Sequence, residues 1–440
     1  MKYETIKTII LTLLVAGSIF LTYSVWTYKP SYHELNQDVT NTPISDAKKI
    51  QDLIKPNKIV LHQNHTHLGT VKETEIDRVI NEIQEWHFFD IGVQKTLTET
   101  ELRYFIQENN HMEIDFSSRV PFEVYKGILQ INKKKSSNIY FDKIVIDFEK
   151  GAQKEKNIYF IDTETRKMAS SSVSNNEIEA FLNRTKQKQK SVYSPFELVE
   201  LGNNHYTFLP KSTTTIWRYE FIKDKDELER FKKILFNDPN SIQKSESKDK
   251  VEYFSSTSLM KVDLKNNMLS FVNPAENLSY KSDPRDLLNQ SINFVNEHGG
   301  WTDDYRFFNL DNNSHQVIFR LFMDGYPVFN ANDMAEVQQI WGENDEIYEY
   351  RRPYVAKEYK FDESKESLPS GKQVLKDLLA IPHIQKNDIQ DLEIGYTMQL
   401  KKMDPNSTEE VFSFEPTWYC LYEGTWSPAS EIGRGQNGME

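Results

Sequence analysis

The chain contains 440 residues, with 53 lysines and arginines against 66 aspartates and glutamates, which gives a formal net charge of −13 at pH 7. Apolar residues make up 38% and aromatic residues 12%, which excludes a chain that is disordered throughout, and the negative charge argues against broad nucleic-acid binding. The single cysteine, Cys420, excludes an intramolecular disulfide and a zinc site built from several cysteines.

The first feature along the chain is an uncharged apolar run over residues 8–26. In a helix that rises about 1.5 Å per residue, this run nearly matches the ~30 Å hydrocarbon core of a bilayer. Lys2 and Lys7 precede it, and basic residues favour the cytoplasmic side of a membrane. The sequence therefore predicts a cytoplasmic N-terminus over residues 1–7 and a single transmembrane anchor over residues 8–28.

A cleaved signal peptide is the alternative, because Ala16, Gly17 and Ser18 supply small residues. They lie in the middle of the apolar run, however, and no small-x-small cleavage site follows Trp26. We therefore expect an uncleaved anchor that leaves an acidic ectodomain on the extracellular side.

One face of the predicted anchor carries small or hydroxyl-bearing side chains, which let transmembrane helices approach closely. This predicted partner-binding face consists of Thr8, Thr12 and Ala16, with Ser18 and Thr22 as a second pair. An anchor that faces lipid without a partner is the alternative.

The ectodomain is predicted to be α+β, with antiparallel sheets and flanking helices. Its predicted segments are a stalk (29–42), an N-terminal α/β domain (43–185), a central α+β domain (192–280), a C-terminal α+β domain (281–428) and a flexible tail (429–440). The charged string TKQKQKS, over residues 185–191, predicts the boundary between the first two domains.

Hydrophobic periodicity and capping residues predict the elements in chain order. The predicted helices run from an N-cap at Ser45 to about Pro56, over 73–86, over 99–107, from a Ser174–Glu177 capping box to Leu182, after Asp224, from Asp283–Pro284 to Gly299, and from Ser370 to before Pro382. The predicted strands lie at 59–61, 138–148, 157–162, 206–209, 214–222, 250–255, 258–264, 268–272, 305–310, 315–323, 336–352 (a hairpin), 391–401 and 411–414.

The string LHQNHTH contains His62, His65 and His67, and neutral imidazole is a good zinc ligand. The sequence has no HExxH motif, no paired cysteine and no acidic ligand at a recognisable spacing. We therefore predict that His65 and His67 lie in a solvated turn after a strand, with no metal and no cofactor. A zinc hydrolase that uses the three histidines is the alternative.

Enzyme signatures are incomplete. Ser45 and Lys48 fit the S-x-x-K spacing of penicillin-binding enzymes, but no K-T-G or K-S-G follows, and the G-x-S-x-G and P-loop motifs are missing. Cys420 lies in an apolar strand and is predicted to be a buried small hydrophobe. Asp303 and Asp304 are predicted to be solvated turn residues. No catalytic residue is predicted, and the chain is expected not to be an enzyme.

Three segments resemble the YycH (WalH) family: MKYETIKTIILTLLVAGSIFLTYSVWTYKP at the start, then FRLFMDGYPVF, then EPTWYCLYEGTW. This family regulates the essential WalK/WalR (YycG/YycF) two-component system of low-GC Gram-positive bacteria, which controls cell-wall metabolism. The resemblance extends over the whole chain.

The resemblance implies a membrane-anchored regulator of the sensor histidine kinase WalK (YycG). It implies that the regulator acts with a YycI-like single-pass protein through transmembrane and ectodomain contacts, and that the C-terminal domain is YycI-like, with aromatic strands around 326–329 and 418–422. An extracytoplasmic module that binds and senses cell-wall fragments is the alternative function.

Overall fold

The structure is a computed structural model that describes most of the chain. The described residues are 45–433 without 90–94, 108–109, 130, 132–138, 149–154, 225–227, 237, 239–240, 275–282, 343–345, 405–406 and 408, together with eight residues between 7 and 22.

The chain divides into two compact units, residues 1–42 and residues 43–440. In the first unit the described residues are helical, and its large apolar side chains are between 53% and 66% exposed: Leu11, Leu14, Val15 and Leu21. Within the described part of the chain, no helix combines the length and the apolar character needed to cross a bilayer. Most of the predicted anchor 8–28, the whole predicted stalk 29–42 and residues 434–440 of the predicted tail lie outside the described residues.

The second unit begins with an antiparallel sheet that has nine strands among the described residues. They are β1 (Lys58–Gln63), β2 (Thr66–Thr70), β3 (Lys95–Thr96), β4 (His111–Pro121), β5 (Tyr140–Asp147), β6 (Glu155–Asp162), β7 (Lys167–Ser174), β8 (Ser194–Glu200) and β9 (Tyr206–Pro210). The order across this first sheet is β3-β7-β6-β5-β4-β1-β2-β8-β9, so β4 and β1 lie at its centre.

A second sheet contains fourteen strands of the described residues. They are β10 (Thr214–Lys223), β11 (Gln243–Glu246), β12 (Lys250–Phe254), β13 (Leu259–Asp263), β14 (Met268–Val272), β15 (Tyr305–Asp311), β16 (Gln316–Met323), β17 (Tyr326–Phe329), β18 (Glu336–Trp341), β19 (Ile347–Pro353), β20 (Lys357–Leu368), β21 (Ile389–Lys402), β22 (Glu410–Tyr422) and β23 (Thr425–Pro428). Its order is β11-β12-β13-β14-β19-β18-β16-β17-β21-β22-β10-β20, with β15 beside β16 and β23 beside β22. Strands β17 and β21 pair in parallel.

Helices flank the two sheets. They are α1 (Ile50–Leu53), α2 (Glu73–Gln84), α3 (Glu99–Gln107), α4 (Phe122–Ile128), α5 (Asn175–Val192), α6 (Leu228–Leu235), α7 (Pro284–Glu297) and α8 (Gly371–Leu379), with short 3₁₀ turns at Gly202–Asn204 and Lys386–Asp388. Buried apolar residues from both sheets and from every one of these helices except α3 form one main core. The predicted α+β class with antiparallel sheets and flanking helices is confirmed.

Two predicted helix starts are confirmed by their caps. The side chain of Asp283 accepts a hydrogen bond from the backbone N–H of Arg285 at the start of α7. Ser370 likewise accepts one from the N–H of Gln373 at the start of α8. In both helices the cap satisfies a backbone donor that has no partner inside the helix.

The prediction that Ser45 caps a helix is wrong. Helix α1 starts at Ile50, and the Ser45 hydroxyl instead donates a 2.5 Å hydrogen bond to the backbone oxygen of Trp301. Ser174 precedes α5, but its side chain makes no capping bond, and the helix continues past the predicted end at Leu182 to Val192.

The predicted boundary segment 185–191 lies inside α5, and β8 and β9 beyond it pair within the first sheet. A domain boundary at 185–191 would therefore lie within α5, and part of this helix would be the linker between the first two predicted domains. The three predicted ectodomain units remain predictions.

The central strands of the first sheet are buried on both faces, which sets the environment of the candidate site. Ile59 and Leu61 of β1 point into the main core. Val60, between them, points to the opposite face and joins a second apolar cluster that includes Phe208 of β9. Since side chains alternate along a strand, charged residues on this opposite face are buried as well.

Gly69 of β2 allows close packing at this second face. A Cβ at this position would lie 2.3 Å from the ring of Phe196 on the neighbouring strand β8. We expect Gly69→Ala to lower the free energy of unfolding by about 1–3 kcal/mol through overpacking. The measurement is urea unfolding of the full chain followed by circular dichroism.

Gly127 provides the matched control for this substitution. It lies exposed in α4, and a Cβ added there would have no atom within 4 Å, so Gly127→Ala should stabilise the helix by about 0.5–1 kcal/mol. Equal stability of Gly69→Ala and the unsubstituted chain would contradict the close contact with Phe196.

Candidate functional site

Three histidines meet on adjacent strands of the first sheet. His62 of β1 lies directly opposite His67 of β2 on one side and His111 of β4 on the other. The Nδ1 atoms of His62 and His67 are 2.7 Å apart, and the His62 and His111 rings stack with centroids 4.2 Å apart. His62 is fully buried and His111 is 4% exposed.

The prediction that His67 lies in a solvated turn is wrong. Asn64 and His65 have positive φ angles of 49° and 60°, so they form a two-residue hairpin turn. This tight turn returns the chain at once, which puts His67 on β2 beside His62. Of the three histidines in the string LHQNHTH, only His65 lies in the exposed turn.

Burial keeps these imidazoles neutral. It lowers the pKa of His62 well below its usual value, with further contributions from His111 and His67. Burial also lowers the pKa of His111 to about 4. Among the described residues, the Nε2 atoms of His62 and His111 have no hydrogen-bond partner.

Charged residues lie next to the histidines on the same face. Lys143 Nζ of β5 lies 2.6 Å from Oε1 of Glu113 and 2.9 Å from Oδ1 of Asp115, both on β4. Lys58 Nζ of β1 lies 3.3 Å from Oδ2 of Asp115. We call these four residues the central ionic cluster. Strand β4 was not predicted, although the alternation of HMEID places His111, Glu113 and Asp115 on one face of a strand.

Burial and pairing compete in the central ionic cluster. Burial alone would raise the pKa of Glu113, but the charge of Lys143 holds it below its usual value. Burial and the charge of Glu113 raise the pKa of Asp115 to about 6. Burial opposes the charge of Lys143, yet Asp115 and Glu113 raise its pKa. The lysine therefore stabilises the ionised form of Glu113 in a buried position.

A second polar junction joins the two sheets. Glu393 of β21 accepts a side-chain hydrogen bond from Asn57 and faces Lys58 of the first sheet. Burial, with the charge of Asp391, raises the pKa of Glu393 to about 8. Nearby, the buried guanidinium of Arg320 pairs with Glu336.

Aromatic rings surround the buried guanidinium of Arg320. Its Cζ lies 3.9 Å from the ring centroid of Phe308 and 4.2 Å from that of Phe329. Phe329 stacks on Tyr419 with centroids 3.9 Å apart. Strand β17, which spans 326–329, and strand β22, which contains 418–422, thus contribute to one aromatic cluster of the second sheet.

The prediction that Asp303 and Asp304 are solvated turn residues is wrong. Asp303 pairs with Lys357, and Asp304 lies 2.7 Å from Nη2 of Arg306. The guanidinium of Arg306 also lies 2.9 Å from Oε1 of Glu73, which belongs to α2. These aspartates therefore belong to ion pairs that link the two sheets and their helices.

The residues weighed for catalysis are occupied or buried. The Ser45 hydroxyl donates to Trp301, and Lys48 Nζ donates to the backbone oxygen of Asp303. Cys420 is fully buried on β22, and burial raises the pKa of its thiol to about 12. As predicted, this cysteine is a small hydrophobe of the core.

A small cavity of the second sheet is lined by residues that include Tyr305, Leu321 and Met398. Its volume of about 20 Å³ is close to the space that one water molecule needs. This cavity does not admit a cell-wall fragment, so it gives no support to the alternative of a sensory binding module.

The predicted partner-binding face is described only in part. Thr8, Thr12 and Ala16 lie outside the described residues, whereas Ser18 and Thr22 are both helical. The hydroxyl of Thr22 donates a 2.8 Å hydrogen bond to the backbone oxygen of Ser18. The role of this face stays a prediction.

The fold and the buried polar clusters define an α+β protein built on two large, mainly antiparallel sheets. Family models described as "YycH protein, N-terminal domain" and "YycH protein, C-terminal domain" match residues 4–190 and 204–434. The chain belongs to the YycH family.

One relative is similar to this chain in sequence, and one solved structure is similar in fold. The chain is 24% identical to the "Two-component system WalR/WalK regulatory protein YycH" of Bacillus subtilis (strain 168), over 98% of this chain and 97% of the relative. It superposes on the crystal structure of YycH from Bacillus subtilis with a TM-score of 0.73 and 20% identity, over 88% of this chain and 98% of that chain.

Lys143 is the residue on which the central ionic cluster depends. We expect Lys143→Met to lower the free energy of unfolding by about 3–5 kcal/mol at pH 7, because it leaves the buried Glu113 without an ion-pair partner and Asp115 with Lys58 alone. Without the lysine, their pKa values in the folded protein rise above those of the unfolded chain. The two carboxyl groups then contribute stability at low pH, and this contribution is lost as the pH rises. The difference in the free energy of unfolding between Lys143→Met and the unsubstituted chain should therefore be smaller at pH 5 than at pH 7.

Urea unfolding of Lys143→Met and of the unsubstituted chain, at pH 5 and at pH 7, measures this difference in the free energy of unfolding. Lys95→Met is the control, because Lys95 pairs with Glu101 at 2.8 Å on the surface and should contribute little. A Lys143→Met protein as stable as the unsubstituted chain, or a difference independent of pH, would count against the cluster.

Proposed function

We propose that this chain is a membrane-anchored regulator of an essential sensor histidine kinase of the WalK type, in a two-component system for cell-wall homeostasis. The observation that carries the proposal is the similarity over 98% of the chain to a WalR/WalK regulatory protein of nearly equal length. Both family models match as well, so the similarity includes the N-terminal segment and the two sheets. In this proposal the chain acts by binding and not by catalysis.

The N-terminal segment supports a membrane anchor. Residues 8–26 contain no charged side chain, and lysines flank the run. The described leucines of this segment, such as Leu11 and Leu14, are more than 60% exposed in their own unit. Exposed apolar side chains at this density need a membrane or a protein partner to cover them. The anchor over 8–28 places the N-terminus in the cytoplasm and the ectodomain outside.

The anchor also gives the regulator a way to act on the kinase. A transmembrane helix that packs differently against two kinase states shifts their populations by the difference in contact free energy. The face formed by Thr8, Thr12 and Ala16, with Ser18 and Thr22 beside it, allows the close approach that such packing needs. A YycI-like single-pass protein is the proposed second partner, through transmembrane and ectodomain contacts.

An exchange of the anchor tests this mechanism. Replacing residues 8–28 by an unrelated transmembrane helix should keep the protein in the membrane but abolish its effect on the kinase. The readout is the phosphorylated fraction of the response regulator in cells, with membrane fractionation to show that insertion is retained. Unchanged signalling with the foreign anchor would remove the helix-contact mechanism and move the activity to the ectodomain.

Substitutions within the native anchor locate the face. Thr8→Leu, Thr12→Leu and Ala16→Leu together should fill the small-residue face and lower kinase modulation as the exchange does. The matched control changes the opposite face conservatively, with Ile10→Leu, Leu14→Ile and Leu21→Ile, and should leave modulation unchanged. Equal effects of the two triple variants would contradict a contact through this particular face.

A further inference from the structure

Three buried polar atoms of the first sheet lack hydrogen-bond partners and belong to side chains that lie close together. They are Nε2 of His62, Nε2 of His111 and Oε2 of Glu113, none of which has a hydrogen-bond partner among the described residues. The three side chains are at most 4% exposed, and their potential ligand atoms all lie within 4.8 Å of one another. Orphaned polar atoms at such burial are rare in folded proteins and require an explanation.

His67 contacts the Nδ1 atom of His62. The 2.7 Å contact between their Nδ1 atoms requires one proton between the two nitrogens. When His62 donates that proton, its Nε2 carries a lone pair that is directed away from His67. A histidine that donates through one ring nitrogen and presents a lone pair at the other has the arrangement typical of a metal ligand with its outer-shell partner.

Glu113 provides the third electron pair. Its Oε1 atom lies 2.6 Å from Nζ of Lys143, which leaves Oε2 as the unpaired oxygen. When both imidazoles present a lone pair at Nε2, one water molecule, which donates only two hydrogen bonds, leaves one of the three atoms unsatisfied. A cation accepts an electron pair from each of the three atoms.

The surrounding charges are compatible with a cation. Two lysines, Lys58 and Lys143, lie near three carboxylates. Two of these belong to Glu113 and Asp115, and the third belongs to Asp147 of β5, which lies directly opposite His111. His67 is only half-buried and next to the hairpin turn, so the site lies close to solvent at this end of the strands.

We propose that His62, His111 and Glu113 form a binding site for a divalent transition-metal cation, with Zn²⁺ as the first choice. Two imidazoles and one carboxylate are the donors that borderline cations such as Zn²⁺ prefer, and three protein ligands leave one position open. Zinc ligands at about 2.1 Å from the metal are ~3.4 Å apart in a tetrahedral site, so the stacked rings of His62 and His111 must rotate when the metal binds. His67 acts as a positioning residue that holds the His62 ring.

Metal analysis of the full chain tests the proposal directly. The protein is purified in detergent without chelator, dialysed against Zn²⁺ and measured by mass spectrometry for metal content. We expect about one equivalent of tightly held zinc, with zinc X-ray absorption that reports nitrogen and oxygen neighbours at about 2.0–2.1 Å and no sulfur. Absence of a stoichiometric metal after dialysis would overturn the proposal.

Variants assign the metal to these residues. His62→Gln with His111→Gln should reduce zinc affinity by at least about tenfold, and His67→Gln should weaken it less, through the orientation of His62. His65→Gln is the control, since it removes a histidine from the same hairpin but outside the set, and should retain the metal. Retention of zinc by the double variant would overturn the assignment.

The X-ray absorption of the unsubstituted chain does not depend on the folding of any variant. A coordination shell without imidazole would overturn the proposal even if the double variant proved insoluble. None of these measurements depends on kinase modulation, so the metal site and the regulatory function can fail separately.

Discussion

The first sheet depends on charge pairing in a buried position. Strands β1 and β4 are covered by the main core on one face and by the second apolar cluster on the other. Because side chains alternate along a strand, β4 directs Ile114 into the main core and Glu113 and Asp115 to the opposite face. Lys143 stabilises the two carboxylates in this buried position by pairing with them. Because burying a charge is costly, His62 and His111 beside the cluster stay neutral.

The two sheets form one packed unit because both apolar and ionic contacts join them. The main core contains residues of both sheets, and Arg306 of β15 pairs with Glu73 of α2. Gly300 has a φ angle of 70°, and a Cβ there would lie 2.3 Å from the backbone oxygen of Ser45. Residues 43–440 therefore form a unit with its own core, whereas the proposed kinase-facing helix belongs to the unit of residues 1–42.

Local signals in the sequence were sufficient where a local interaction determines the element. The Asp283 and Ser370 caps and the apolar spacing of α2 are of this kind. The candidate site was not predictable in the same way, because His111 lies far from His62 in sequence and meets it only through strand pairing. The exposed edge strand β20 was missed since polar and charged residues follow Tyr359 and Phe361 without an apolar face. The prediction for Ser45 failed because its hydroxyl bonds to the distant Trp301 instead of to a helix N-terminus.

The proposed regulation of a sensor histidine kinase from within the membrane requires that this chain and the kinase lie in contact there. Crosslinking of the full chain in native membranes, followed by mass spectrometry of the captured proteins, detects such a contact. We expect recovery of a sensor histidine kinase together with a second single-pass protein, with crosslinks that map to the N-terminal segment of this chain. Recovery of neither protein, in membranes that contain both, would contradict regulation by direct contact.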